Sequence, residues 1–328
     1  MFVLIGLGRG RLRADLGGSP KPKTGDGSRA WGKLLCLAMR SEARSCGTRA
    51  ARPADEGLAK RTLAAGDGWS VHEVVCNAGP SDRPFEERHE GFSVSAVIEG
   101  SFTYRSDAGR GLLYPGALLL GNSGWCFKCG HAHRIGDRCI SLNVRDDLFG
   151  EIAAAAAATS RFRFSAPSLP PSPKVLPVVA SMEALSSGGP ELRRDELALR
   201  LIERVVAAMA GQGRFAAAPA AREARRVVEA IRLVESDAAR PVRLKDLAAS
   251  AGMSKYHFLR VFRRLTGMTP YQYLLSARMR RAALELAVSR RPVLAIALDN
   301  GFADLSTFNH RFRAAFGVTP TQYRASPL

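Results

Sequence analysis

The sequence predicts an α+β protein of two domains. A sandwich or small barrel of short strands with flanking helices comes first, and an all-α domain with two helix-turn-helix units follows. Three observations predict this. Between Trp69 and Val144, short β-like runs alternate with turn residues at regular spacing. From Ala220 onward, apolar residues recur at helical spacing. Within that second region one pattern occurs twice: Phe258, Phe262 and Gly267 return as Phe308, Phe312 and Gly317, each 50 residues later. A chain of 328 residues is long enough for both domains.

Residues 1–65 are rich in Gly, Arg, Ala and Ser and hold no persistent period, so a disordered basic extension is expected there. Trp31–Met39 could form a short helix but has nothing obvious to pack on. The segment reads either as a basic DNA-binding arm or as sequence upstream of the natural start codon. Met1–Leu7 is apolar, but the arginines follow it instead of preceding it, which makes a poor signal peptide. Nothing approaches the roughly 20 apolar residues of a membrane span. Six scattered cysteines suit a reducing cytoplasm.

The strand-rich domain is expected over residues 66–165. Ser93–Ile98 partly alternates, and Glu99-Gly100 turns the chain into Ser101–Arg105. Asp107-Ala108-Gly109 turns it again before Leu112–Tyr114. Pro115-Gly116 is a strong turn signal before Ala117–Leu120. Trp125–His133 and Cys139–Val144 complete the set. In an extended run, Trp125, Phe127, Cys129, His131 and His133 share one face. That face either fills the core or lines a pocket, and an effector would be bound there. Cys129, His131, His133 and Cys139 are the candidate metal ligands. The outer two of 129, 131 and 133 would stand about 13 Å apart at 3.3 Å per residue, so one straight strand cannot bring all three to one ion. Two of them with Cys139 could. Core lining is the plainer reading, reactive thiols are a third, and no cofactor is expected.

Asp146–Ala158 reads as an alanine-rich helix, and Pro167, Pro170, Pro171 and Pro173 as a linker. Val175–Leu185 and Glu191–Met209 read as helices, within a segment of linker and dimerisation helices at 166–219 that ends in a hinge, Gly211–Pro219. Leu197, Leu201, Val205 and Ala208 form a stripe that packs either on the strand domain or on a second subunit.

Ala220–Ser236 opens the helical domain of residues 220–328. Leu244–Ala251, a Gly252-Met253 turn and a helix capped by Ser254 form the first helix-turn-helix. In the second of these helices Phe258, Val261, Phe262 and Leu265 make the buried stripe, and Gly267 stops it. Thr269 caps a linking helix with Pro270 at its first position, running to about Val288. Its 19 residues span about 28 Å, a rod able to hold two recognition helices roughly one DNA turn, about 34 Å, apart. The second unit is Val293–Asn300, a turn at Gly301, and a helix capped by Asp304. Residues 221–328 carry 19 Lys and Arg against 8 Asp and Glu, a balance of +11 within the chain's +18, while residues 66–220 are nearly neutral. That is an electrostatic footprint for phosphate.

GFADLSTFNHRFRAAFGVTPTQYR (301–324) resembles the signature of the AraC/XylS transcription regulators, and LKDLAASAGMSKYHFLRVFRRLTGMTPYQYL resembles their first helix-turn-helix. FSVSAVIEGSFTYR and GLLYPGALLL look like the cupin-type jelly roll of that family's sensors. The alternating histidines of the first cupin motif are reduced to His89. The resemblance implies a ligand-responsive, sequence-specific regulator that binds double-stranded DNA. In the first unit, Arg260 can fork onto guanine, while Tyr256 and Leu259 offer apolar contacts. In the second, Ser306, Thr307 and His310 match the family's base-facing positions, with Asn309 beside them. Lys255, Arg263, Arg264, Arg278, Arg311 and Arg313 are placed for phosphates. A small-molecule effector is implied, with RNA polymerase and a second copy of the chain as compatible partners, and with no membrane and a cytoplasmic location. The rival reading is a metal-dependent cupin enzyme fused to a DNA-binding module. No Ser-His-Asp constellation or Gly-rich phosphate loop stands out, and no enzymatic activity is expected.

Overall fold

Strands β1 (Leu58–Gly66), β2 (Trp69–Cys76), β3 (Glu86–Arg88), β4 (Phe92–Gly100) and β5 (Phe102–Ser106) open the chain, and β6 (Gly109–Leu113), β7 (Leu118–Gly121), β8 (Cys126–Gly130), β9 (Asp137–Val144) and β10 (Ser168–Leu169) follow. They form two antiparallel sheets, ordered β1-β2-β9-β4-β7-β10 and β3-β8-β5-β6. The computed structural model describes residues 58–325 apart from 83, 85, 132–135, 187–193 and 211–220. The Trp31–Met39 helix, the basic arm, the 211–219 hinge and His133 therefore lie outside the described residues.

The centre of the six-stranded sheet is covered on both faces. Val94, Ala96, Leu118, Ile140 and Leu142 point to α1 (Asp146–Ala157), α2 (Leu176–Ser186) and α3 (Arg194–Ala210) and share one core with Phe149, Val179 and Ile202. The intervening side chains Val97, Leu119 and Cys139 face the other way, into a core with Phe102, Tyr104 and Leu113 of the smaller sheet. This is why β4 is buried from Phe92 to Ile98 and alternates only in part.

Three expectations change. The sheet reaches back to Leu58, ahead of the expected start at residue 66, because β1 pairs along β2 with a bulge between Thr62 and Ala64. Part of the 166–219 segment is not a free linker, since β10 adds to β7 and α2 supplies Leu176 and Ala180 to the core of the helical domain. The stripe on α3 is used inside the chain: Leu201, Val205 and Ala208 are buried in the core shared with the sheet, and Leu197 packs against it partly buried.

The helical domain comprises α4 (Ala221–Ser236), α5 (Leu244–Ser250), α6 (Lys255–Thr266), α7 (Pro270–Val288), α8 (Val293–Asp299), α9 (Leu305–Phe316) and α10 (Pro320–Ala325). Each half has an aromatic core of the same design. Phe258 packs on Phe262, which meets Tyr273, in the first, and Phe308 packs on Phe312, which meets Tyr323, in the second. Both α6 and α9 end at a left-handed glycine, Gly267 at φ 74° and Gly317 at φ 78°. Gly301 turns the second unit at φ 80°, and a Cβ there would stand 2.5 Å from the Ala239 carbonyl.

Candidate functional site

Capping fixes where α6 and α9 begin. The Ser254 hydroxyl accepts from the His257 N–H at 3.3 Å. In the second unit, Asp304 accepts from the Thr307 N–H at 2.7 Å and from the Thr307 hydroxyl at 2.9 Å, and these bonds hold its carboxyl below the usual range. Thr269 and Gln272 close a reciprocal capping box on α7 at 3.2 and 2.8 Å, and Thr319 with Gln322 repeats it on α10 at 3.3 and 3.0 Å.

With the aromatic stripe turned inward, the opposite face of both α6 and α9 is wet. Lys255, Tyr256, Arg260 and Arg263 are exposed on α6 and Leu259 is half-buried. Tyr256 is 72% exposed, a large apolar ring left in solvent, and the Arg260 guanidinium lies over it at 5.9 Å. On α9, Ser306, Thr307, Asn309, His310 and Arg313 are exposed, although the Thr307 hydroxyl is already held by its cap. Two arginines assigned to phosphate are employed inside the protein. The Arg278 guanidinium donates to the carbonyls of Ala238 at 2.7 Å and Gly301 at 2.6 Å, tying the two units together. Arg264 pairs with Glu223 on α4 at 2.5 Å.

The helical domain is locked to the strand domain by three buried side chains that the sequence reading did not single out. The Tyr114 hydroxyl donates to the Thr266 carbonyl at the end of α6, 2.8 Å away. Its ring meets the edge of Tyr273, whose hydroxyl lies 2.6 Å from Glu235 and 3.2 Å from the Pro115 carbonyl. Arg280, 3% exposed, reaches Glu235 at 2.9 Å and Glu183 at 3.4 Å. Burial works against its charge, and the two carboxylates more than offset that. Beside this lock lies a cleft of about 420 Å³ between the sheet rim and α4, bordered by Cys76, Gly100, Asp137, Ile231 and Glu235.

In the strand domain Phe127 stacks on His89 at 4.3 Å and faces Tyr104 at 5.5 Å. His89 Nε2 is 2.7 Å from the Tyr104 hydroxyl, and burial lowers its pKa to about 4. Trp125 and Cys129 are half-buried. His131 is separated from them in its chemistry. It lies 2.5 Å from the Asp137 carboxylate, and Cys76, His131 and Asp137 bring their donor atoms within 4.8 Å of one another. Asp137 also accepts from the Cys139 thiol at 3.4 Å. Of the four metal candidates read from sequence, the structure places His131 and Cys139 at this group, and it adds Cys76 and Asp137. Their only sequence signal was the residue types, because Cys76 reaches the cluster through strand pairing.

A family model described as a helix-turn-helix domain matches residues 247–326. The transposon Tn10 TetD protein of Escherichia coli is 39% identical over 85 residues, 26% of this chain and 62% of that protein. Regulatory protein SoxS of Escherichia coli K12 is 37% identical over 84 residues, 26% of this chain and 78% of SoxS. The chain thus spans less than two thirds of TetD's length and over two thirds of SoxS. Among solved structures, the DNA-binding domain of AdpA, a global transcriptional factor in complex with a target DNA, is 32% identical. It covers 30% of this chain and 90% of that one, with a TM-score of 0.29.

Proposed function

Because this chain belongs to the AraC/XylS family of transcription regulators, we propose that it is a sequence-specific DNA-binding regulator whose strand domain responds to a small-molecule effector. One observation carries the reading: two capped helices of duplicated design present wet faces from a segment with a charge balance of +11. Arg260, Tyr256 and Leu259 would read bases from α6, and Ser306, Asn309 and His310 from α9, with Thr307 limited by its bond to Asp304. Lys255, Arg263 and Arg313 would hold phosphates. The effector would be taken by the strand domain, at the face of Trp125, Phe127 and Cys129. The same reading places the protein in the cytoplasm as a regulator and not an enzyme. Among the described residues no helix is long and apolar enough to cross a membrane.

The test uses the full chain, titrated into labelled genomic fragments at several salt concentrations. Log affinity is expected to fall steeply against log salt. Arg260→Ala should cost about 1–3 kcal/mol and relax preference at one base pair, whereas Lys255→Ala should weaken all sequences alike. Binding indifferent to salt, or identical sequence profiles in the two variants, would count against these assignments.

A further inference from the structure

We propose that Cys76, His131 and Asp137 form a binding site for a divalent transition metal of the zinc class. The topology builds the site. Cys76 ends β2 and Asp137 begins β9, and they are direct partners in the antiparallel ladder, so their side chains leave the same face side by side. His131 follows the last residue of β8 in the other sheet. A thiol, an imidazole and a carboxylate from two sheets thus converge with their donor atoms within 4.8 Å of one another. All three residues are buried, at 6, 7 and 9% exposure.

Charge and donor type select the ion. Among the described residues the ionic partner of Asp137 is His131, while the adjacent Arg138 is turned to Glu73 and Glu99. A buried carboxylate and a buried thiolate carry two negative charges, and a dication with neutral imidazole makes the group neutral, which a site out of water needs. Sulfur and nitrogen donors disfavour magnesium and calcium, and a mixed set of one sulfur, one nitrogen and one oxygen suits zinc. The Cys139 thiol donates to one oxygen of Asp137 while His131 sits at the other. Cys139 therefore acts as an orienting group on the carboxylate rather than as a ligand. Cys76 and Asp137 also border the cleft against α4, which gives an ion a way in. Bound there, it would staple the rims of the two sheets, and binding would release the thiol proton and the proton that His131 holds in its ion pair with Asp137.

The test is made on the full chain, purified without a metal-chelating tag, dialysed against zinc and analysed for metal, with a parallel cobalt(II) titration followed by absorption. One equivalent is expected, and the cobalt form should show both tetrahedral ligand-field bands and a thiolate charge-transfer band. Cys76→Ser should abolish the thiolate band, and His131→Ala and Asp137→Asn should each weaken zinc at least about tenfold. Cys126→Ser, outside the cluster, should change nothing. Zinc should raise the melting midpoint of the parent protein and of Cys126→Ser, but not of the three site variants. If a site variant does not fold, the parent's cobalt spectrum decides alone. A parent that takes up no metal, a cobalt adduct without a thiolate band, or unchanged affinity in Cys76→Ser would overturn the proposal. The site stands apart from the DNA reading: stoichiometric metal in a protein that binds no DNA would remove that reading and leave this one.

Discussion

His89 is held by Phe127, Tyr104 and the backbone of Gly121, where an added Cβ would strike its ring at 2.4 Å. Its pKa is lowered to about 4 in the fold, against about 6.5 in an unfolded chain. The unfolded chain therefore takes the proton first, so the stability this ring contributes is whole above about pH 6.5 and is lost as pH falls towards 4. By pH 5 the loss should reach at most about 2 kcal/mol. Urea unfolding at a series of pH values should show it, and His89→Gln should flatten that slope. An unchanged slope would mean the ring is not kept neutral by its surroundings. The same scale shows where sequence falls silent. Arg264 and Arg278 look like phosphate ligands in a basic helix, and nothing local distinguishes them from Arg260. Their partners, Glu223 and the carbonyls of Ala238 and Gly301, lie 41, 40 and 23 residues away. Arg280 is the sharpest case, a charged side chain buried because two acids arrive from two other helices.

Helices were the most legible elements, because their ends are written in side chains. Ser254, Thr269 and Asp304 are caps in the sequence and caps in the structure, and the 50-residue repeat carried the same grammar into the second unit. Strands were less so. β1 is exposed at four consecutive positions, Ala59 to Thr62, so no alternation marks it as a strand. β4 is buried on both faces and so lacks clean alternation. The capping carboxylate of α9 is the place to test the element scale. Asp304→Ala should lower the melting midpoint slightly and free the Thr307 side chain, and DNA affinity should fall at one half-site. Asp304→Asn, itself a good cap, should retain most of both. Equal behaviour of the two variants would show that the cap does not set the start of α9.

At the level of the whole molecule, the two expected domains are present as a sheet region and a helical region, but their cores are not separate. Val97, Phe102 and Leu113 belong to one apolar cluster with Val227, Ile231, Phe258 and Phe262. Leu176 and Ala180 of α2 lie in another with Met279, Phe308 and Phe312. Unfolding of the full chain is therefore expected as a single calorimetric transition, since neither region keeps its core when the other opens. Two resolved transitions would contradict this. The joint was hidden in sequence because each apolar stripe is complete by itself, and nothing in a stripe says which neighbour covers it.

The Tyr114–Thr266 bond and the seat of α2 in the second unit have a further consequence, for how such chains can be recombined. A DNA-reading half is often pictured as a cassette that can be joined to any sensor. In this protein a transplanted residue 221–328 segment would arrive with Tyr273 missing Tyr114, with Met279 and Ala283 missing Leu176 and Ala180, and with its Arg280–Glu235 pair deprived of Glu183. A host would accept the segment only if it already carried an aromatic hydroxyl in the place of Tyr114 and apolar side chains of like size in the places of Leu176 and Ala180. Inheritance at these few positions should therefore travel in pairs across the joint, and hybrids built without regard to them should be insoluble before they are inactive.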